Sequence, residues 1–301
     1  MKTSKTMSKA LMLALAVMLV FALAVPALAQ NYFTTTSASY VQGTAPTYSN
    51  STIHVNLVLE SRKISGNNLY KTVSNVALTA GSTPKSFYVR DVLLAVQSDT
   101  NNNVSFNDYD GNPIDSSKDY VYSITDKSSN PYRTYAPTSR YAWNGWMFRI
   151  NGQFPLEKSS PVTGASIATA YVTDGDTIHF YHDDMDEAGD GAYYAKITSV
   201  NKSGNNLTVN VKASFQYDQS QSPYNWIIDD FTNYQGAQVQ VRDANGNLID
   251  SGYTDASGNV TLNVTGKTGT CTVEVVRSFL ETIDYQNGLI DNTADKVSFT
   301  L

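Results

Sequence analysis

The stretch "STIHVNLVLE" (Ser51–Glu60) decides the fold of the first half of the chain. Its apolar residues alternate, which predicts a strand with one buried face formed by Ile53, Val55, Leu57 and Leu59. A turn at Ser65–Asn68 and the following segment "LYKTVSNVAL" predict the second strand of a β-hairpin.

The next segment, "SFYVRDVLLAVQS" (Ser86–Ser98), changes from strand to helical period. Its apolar residues Val89, Val92, Leu93 and Val96 share one helical face, and Ser86 is the predicted N-cap. A region rich in turn residues follows, and later strands are predicted at "YAWNGWMFRING" and at Thr177–Tyr181. Strand, turn, strand, helix and later strands is the order of a β-grasp domain.

The second half of the chain has the pattern of an all-β domain. The segment "AKITSVNKSGNNLTVNVKASF" predicts a hairpin, and "AQVQVRDANGNLIDSGYTDASGNVTLNVT" predicts two more hairpin-like units with Asn-Gly and Ser-Gly turns. Short, regularly spaced strands favour an immunoglobulin-like or prealbumin-like sandwich. The predicted protein is therefore mainly β, with a signal peptide at 1–29, a polar leader at 30–51, flexible or extended, a β-grasp domain at 52–193 and a sandwich at 194–301.

The beginning of the chain predicts export. Three lysines precede an apolar run at 10–24, and Ala27 and Ala29 form a signal-peptidase site before Gln30. The run is short for a membrane span, so we expect cleavage and a secreted protein without a membrane span. Cleavage takes the net charge from −6 to −9, which argues against nucleic acid as a partner. The single cysteine, Cys271, lies in an alternating strand and is expected to be a small buried residue.

Two parts of the chain resemble known families. Val55, Leu57, "VRDVLLAV", "GWMFRINGQFP" and "DGDTIHFYH" make residues from about 50 to 182 similar to the transcobalamin-like C-terminal domain family. This resemblance implies a β-grasp module and, by analogy with cobalamin carriers, a corrinoid as candidate ligand. The stretch "VQVRDANGNLIDSGYTDASGNVTLNV" resembles carboxypeptidase-regulatory or collagen-adhesin B-type repeats, which implies a stalk or structural spacer.

The run "WNGWMFRINGQFP" (Trp143–Pro155) contains the first candidate site. One interpretation places Trp146 and Phe148 in the core beneath the helix, because large aromatic side chains dominate cores. The other makes Trp143, together with Tyr132 and nearby tyrosines, an exposed surface for a flat ligand, a sugar or a protein partner. Both can hold at once. The predicted ligand-binding residues are Trp143, Trp146, Tyr141, Tyr135, Arg149 and Asn151.

An acidic loop, "HDDMDEAGDG", is the second candidate site. Clustered carboxylates in a glycine-containing loop suit Ca²⁺, which takes six to eight oxygen ligands. The alternative is a solvated acidic linker between the domains. The predicted metal ligands are Asp183, Asp184, Asp186, Glu187 and Asp190. The segment "NDYDGN" (Asn107–Asn112) is a second calcium candidate, with a simple Asx turn as its alternative.

The sequence predicts that the protein is not an enzyme. It has no His-Glu-x-x-His or Gly-x-Ser-x-Gly motif, and alternation puts His179 and His182 on opposite faces of a strand. The resemblance to collagen-adhesin domains implies one covalent option, a bond between Lys212 and Asn292 near Glu274.

Two functions therefore stay open. The first is a secreted binding module that presents an aromatic surface to a small ligand or partner. The second is a structural subunit of an extracellular filament, matrix or surface layer. In that reading the leader is donated as a strand to a neighbour's sheet, and calcium makes the joints rigid.

Overall fold

The structure, a computed structural model, describes residues 30–31, 37–61, 69–136, 145–183, 192–221, 224–278, 289–290 and 297–301. Strands, numbered β1 to β21 along the chain, dominate these residues, and their one α-helix is α1 at Val89–Ser98. The predicted mainly β fold class is confirmed. None of the helical segments within these ranges has the length and apolar character needed to cross a bilayer. The predicted signal segment lies outside them.

The first predicted domain, called the first domain below, contains a mixed four-stranded sheet with the order β4-β3-β11-β8. The central strands β3 and β11 run parallel, and the two outer pairs are antiparallel. The bounds are β3 Ser51–Ser61, β4 Leu69–Ala80, β8 Gly145–Ile150 and β11 Thr177–Asp183. The predicted chain order of hairpin, helix and later strands is therefore observed, with the last strand inserted between the first and the third.

Helix α1 covers one face of this sheet. It buries the predicted residues Val89, Val92, Leu93 and Val96. The predicted N-cap at Ser86 is wrong, because the helix begins two residues later, with Tyr88 as the N-cap. The Asp91 carboxylate accepts a hydrogen bond from the Tyr88 backbone N–H at 2.8 Å, which satisfies a donor at this end and fixes the start. A 3₁₀ turn at Thr100–Asn102 follows the helix.

The turn-rich region after the helix contains a small antiparallel sheet that the sequence did not predict. Its strands are only three or four residues long, too short for an alternating pattern to show: β5 Val104–Asn107, β6 Ser123–Asp126 and β7 Arg133–Tyr135. Asn107 supports the sheet from its side chain, donating to the hydroxyls of Ser123 at 3.3 Å and Thr125 at 3.0 Å.

The second predicted domain, called the second domain below, contains a β-sandwich-like pair of sheets. One sheet has the order β17-β16-β19-β21, with the bounds β16 Ala237–Asp243, β17 Leu248–Tyr253, β19 Thr270–Ser278 and β21 Val297–Thr300. The facing layer is the predicted hairpin, observed as β12 (Ala192–Ser203) and β13 (Asn206–Gln221), with β18 (Asn259–Asn263) beside β13. Val209 and Val211 from this layer pack with Val239, Val241 and Val273 in one buried core.

The hairpin β12–β13 belongs to a larger sheet that continues into the first domain. The path of this sheet is β1-β12-β13-β14-β10-β9-β2, with β15 and β18 also on β13 and β20 on β12. The remaining bounds are β1 Gln30–Asn31, β2 Ser39–Val41, β9 Phe154–Glu157, β10 Ser160–Gly164, β14 Tyr224–Ile228, β15 Thr232–Asn233 and β20 Leu289–Ile290. Strands from the leader and from both domains thus share one hydrogen-bonded sheet.

One turn, with the sequence Asp-x-x-Gly-Asn, occurs three times, at 108–112, 243–247 and 255–259. In each copy an aspartate oxygen accepts the backbone N–H groups of the residues two and four positions later, at 2.8–3.0 Å. The glycine of each copy has a φ between 74° and 82°, a conformation that side chains disfavour. The turns predicted at Asn-Gly and Ser-Gly are confirmed.

Two of these glycines offer a matched test. A Cβ on Gly258 lies 2.5 Å from the Val211 carbonyl oxygen, whereas a Cβ on Gly246 meets nothing within 4 Å. We expect Gly246→Ala to lower the free energy of unfolding by about 1–2 kcal/mol, from its backbone conformation alone. Gly258→Ala adds a clash with backbone and is expected to cost about 3 kcal/mol or more. Urea unfolding measures the loss of stability in both variants. Equal losses would contradict the prediction that the clash at Gly258 adds to the cost.

Candidate functional site: the leader groove

The leader is extended and paired with its own chain. Strand β2 runs parallel to β9, with Ser39 opposite Phe154 and Val41 opposite Leu156. The Phe154 N–H donates to the Ala38 carbonyl at 2.8 Å, and the Gln42 N–H donates to the Leu156 carbonyl at 3.0 Å. Further towards the N-terminus, Gln30 and Asn31 pair with β12. The leader was predicted to be flexible or extended, and two of its described segments, Gln30–Asn31 and Ser39–Val41, are held as strands.

The Gln42 side chain fixes the C-terminal end of this docked strand. It is 4% exposed. Its Nε2 donates to the Thr169 carbonyl at 3.3 Å, and its Oε1 accepts the Tyr171 N–H at 2.9 Å. The amide thus pairs with a backbone donor and a backbone acceptor of the neighbouring segment, as another strand would.

Ala38 fixes the other end of the docked strand. It is fully buried, in one cluster with Tyr181, Tyr194 and Phe231, and Met147 and Ile228 pack against this cluster. Met147 and Tyr181 come from the first domain, whereas Tyr194 and Phe231 come from the second. The leader therefore fills a space that both domains line. We call this space, together with the edge of β9, the leader groove.

Arg149 lies on the floor of the leader groove and is fully buried. Its Nη1 donates to the Ala38 carbonyl at 3.0 Å, and its Nε lies 3.4 Å from the Tyr181 hydroxyl. The guanidinium carbon lies 4.2 Å from the centre of the Tyr194 ring and 5.8 Å from that of Phe231. Aromatic faces and carbonyl oxygens both attract a cation, so this position suits the planar guanidinium.

A second buried group of polar side chains adjoins Arg149 through Tyr194. The two ring nitrogens of His179 lie 2.8 Å from Glu60 Oε2 and 2.9 Å from the Tyr194 hydroxyl. Glu60 and His179 are each 2% exposed, and Tyr194 is fully buried. A histidine that donates from Nε2 to the carboxylate accepts the tyrosine proton at Nδ1, which uses both nitrogens. This group links β3 and β11 of the first domain to β12 of the second.

The structure buries two residues of the predicted aromatic surface. Trp146 and Tyr135 are 3% and 2% exposed, and Trp146 Nε1 donates to the Tyr135 carbonyl at 3.2 Å. The Trp146 and Phe148 rings both stack on Phe180, with centroids 5.9 and 5.8 Å apart. The interpretation of Trp146 and Phe148 as core residues is confirmed. An exposed surface therefore includes neither Trp146 nor Tyr135, because both side chains are packed inside the first domain.

The other four residues of that predicted set have different outcomes. Trp143 and Tyr141 lie outside the described residues. Arg149 is buried in the leader groove and offers no surface to a free ligand. Asn151 has a φ of 51° in the turn after β8, and its side chain donates to Asp176 Oδ1 at 2.7 Å and accepts the Thr177 N–H at 2.9 Å. These contacts give Asn151 a role in the turn.

The predicted calcium sites gain no ligand set from the structure. Asp184, Asp186, Glu187 and Asp190 lie outside the described residues, and Asp183 is described by its backbone alone. At the second candidate, Asp108 accepts two backbone N–H groups and forms an ion pair with Lys118 at 2.9 Å. The backbone contacts show that the alternative interpretation, an Asx turn, is formed in this segment. Across the described ranges, no three His, Cys, Asp or Glu side chains form a metal-binding group.

The Asx turns make stability depend on pH. The hydrogen bond from Lys118 lowers the pKa of Asp108, and those from Asn247 lower the pKa of Asp243. A carboxyl with a lowered folded pKa contributes stability above the usual aspartate range of about 4, and this contribution is lost as pH falls through the folded pKa. We therefore expect the urea midpoint to fall as pH drops from 5 to 2. Asp243→Asn should lie below wild type at pH 7 and converge with it at the acidic end; a constant gap would refute this linkage.

Two further predicted residues lie in the second domain. Cys271 is a buried free thiol whose pKa is raised by that burial, as expected for a small core residue. Glu274, predicted to assist a bond between Lys212 and Asn292, accepts a hydrogen bond from Arg242 Nε at 2.9 Å. Asn292 lies outside the described residues.

Comparisons of the chain with known protein families, with curated proteins and with solved structures find no match. Sequence reasoning missed Glu60, Tyr181, Tyr194 and Gln42 as parts of a site. One signal was present in the sequence. On the sheet face opposite the helix, β3 carries Val58 and Glu60, and β11 carries His179 and Tyr181, so this face mixes apolar and ionisable residues.

Proposed function

We propose that the protein is a secreted, non-enzymatic structural subunit of an extracellular filament, matrix or surface layer. Each copy gives its leader strand to the groove of a neighbour. The observation that carries this proposal is the docking of Ala38–Gln42, which attaches to residues more than 100 positions away through backbone pairing and two buried side chains. A segment bound in this way makes the same contacts whether it comes from its own chain or from another copy.

The connection between the leader and the first domain supports exchange. Residues 42–50 join β2 to β3, and Gly43, Thr44 and Thr47 in this segment are exposed. A change of direction here redirects the leader without unfolding either domain. Donation from one copy to the next is a head-to-tail contact, and head-to-tail contacts that do not close on themselves form open filaments.

The two domains have separate places in this proposal. A β-grasp assignment of the first is supported by its parallel central pair, β3 and β11, and by the helix after the hairpin. The second acts as a spacer, supported by its sandwich-like core. Calcium binding by the acidic loop that joins β11 to β12 is part of the proposal, because a cation there stiffens the link between the domains.

The alternative of a small-ligand module, corrinoid included, draws no support from a described contact. Trp146, Tyr135 and Arg149 are engaged inside the protein. We therefore prefer the structural subunit to the small-ligand module.

Cross-linking tests strand donation directly. Val41 and Leu156 are register partners across β2 and β9, so cysteines at both positions, with Cys271→Ala, bring two thiols together. Under conditions of assembly, with and without Ca²⁺, we expect a short thiol cross-linker to produce a ladder of linked multimers. A control pair at Thr52 and Thr79, whose hydroxyls lie 2.9 Å apart in the β3–β4 hairpin, should link only within one chain. Cross-links confined to single chains for Val41 and Leu156 would overturn the proposal.

A further inference from the structure

We infer that the leader groove is a sequence-selective peptide-binding site for an extended segment of the form small-x-x-x-Gln, supplied in an assembly by the leader of a second copy. The identity of this partner rests on the proposed function. The selectivity rests on two buried side-chain contacts, at Ala38 and Gln42; between them, Ser39 and Tyr40 are half-buried and Val41 is exposed.

The contact at Ala38 selects a small side chain. The residue has no exposed surface, and Tyr181, Tyr194 and Phe231 surround it. The Arg149 guanidinium holds its carbonyl at 3.0 Å, which prevents the strand from moving outwards to admit a larger residue. Extra methyl groups in a well-packed site force neighbouring side chains out of their preferred conformations.

The contact at Gln42 selects an uncharged amide. Its position requires a donor towards the Thr169 carbonyl and an acceptor towards the Tyr171 N–H. Glutamate keeps the acceptor but sets a carboxylate against the Thr169 carbonyl, and an apolar residue leaves both backbone groups unpaired.

The separation between the two contacts fixes the register. A shift of the bound strand by two residues keeps the same face inwards but brings Tyr40 to the position of Ala38, where the space accepts only a small residue. Because residues of both domains line that space, the site exists only where the first domain and the second are joined.

The test uses the whole chain cut once. A protease recognition sequence inserted between Thr44 and Ala45, in the connecting segment, allows the folded protein to be nicked so that the leader is held only by noncovalent contacts. Retention of the leader is measured by size exclusion and mass spectrometry in wild type, Ala38→Leu, Gln42→Glu and the control Val41→Thr, whose side chain is 49% exposed. A labelled peptide of residues 30–44 then reports exchange by fluorescence anisotropy.

We expect wild type and Val41→Thr to retain the leader alike. Ala38→Leu and Gln42→Glu should each weaken retention about 10- to 100-fold. Equal retention by all four proteins, or loss of the leader from all four, would overturn the inference. Selective retention together with cross-links confined to single chains would keep the peptide site and reject the filament, so the two proposals fail separately.

Discussion

Arg149→Ala is expected to lower the free energy of unfolding by about 3–5 kcal/mol, the cost of emptying a large buried position and leaving polar partners without a donor. The side chain is fully buried and donates to the Ala38 carbonyl, so the leader should detach as well. Urea unfolding followed by circular dichroism measures the first effect. Limited proteolysis within residues 37–47 measures the second.

Two control variants separate the causes. Arg133→Ala removes the same side chain from an exposed position and should change stability by less than about 0.5 kcal/mol. Arg149→Met fills the space but cannot donate to the Ala38 carbonyl, so it should recover stability while the leader still becomes protease-sensitive. If Arg149→Ala unfolds like wild type and its leader stays protected, Arg149 does not hold the leader.

The pair Glu60 and His179 should give the second large effect. Each of Glu60→Leu and His179→Leu removes one partner of a buried pair 2.8 Å apart and is expected to cost about 3–5 kcal/mol. The double variant should cost clearly less than the sum, because either single substitution already removes the contact between the two side chains. Urea unfolding of wild type, the two single variants and the double variant completes this double-mutant cycle.

The chain provides a matched exposed pair. His54 Nδ1 and Asp174 Oδ1 are 3.9 Å apart, with side chains 54% and 70% exposed. His54→Leu should change the free energy of unfolding by less than about 1 kcal/mol, because water screens an exposed pair. Additive losses in the cycle of Glu60 and His179 would mean that burial, and not their contact, explains the cost.

Much of the fold follows from local patterns. Alternation at Ile53, Val55, Leu57 and Leu59 gives the buried face of β3, and helical spacing gives the buried face of α1. The Asn-Gly and Ser-Gly turns were predictable because an aspartate at a fixed distance before each glycine accepts nearby backbone N–H groups, a contact made within five residues. These interactions are short in sequence, so the sequence displays them.

The leader groove was not predictable for the opposite reason. Ala38 shares a buried cluster with Tyr181, Tyr194 and Phe231, residues more than 140 positions away. No local sequence pattern distinguishes this buried alanine from a solvent-exposed alanine in a polar segment. Arg149 was predicted to be a ligand-binding residue, and the structure buries it. Its burial depends on a second domain that covers the same face of the sheet, and no periodicity within β8 carries that information.

The parallel register of β2 on β9 has a mechanical consequence. In the proposed filament, tension that is carried by a donated leader acts along these two strands, because the leader continues directly from β2. A force along paired strands stretches all their hydrogen bonds together, whereas a force across them breaks the bonds one after another. The bonds of Ala38 and Gln42 to the groove then share the tension, with Arg149 and the Thr169–Tyr171 backbone resisting at the two ends. The proposed joint is therefore strongest against a pull along the leader strand.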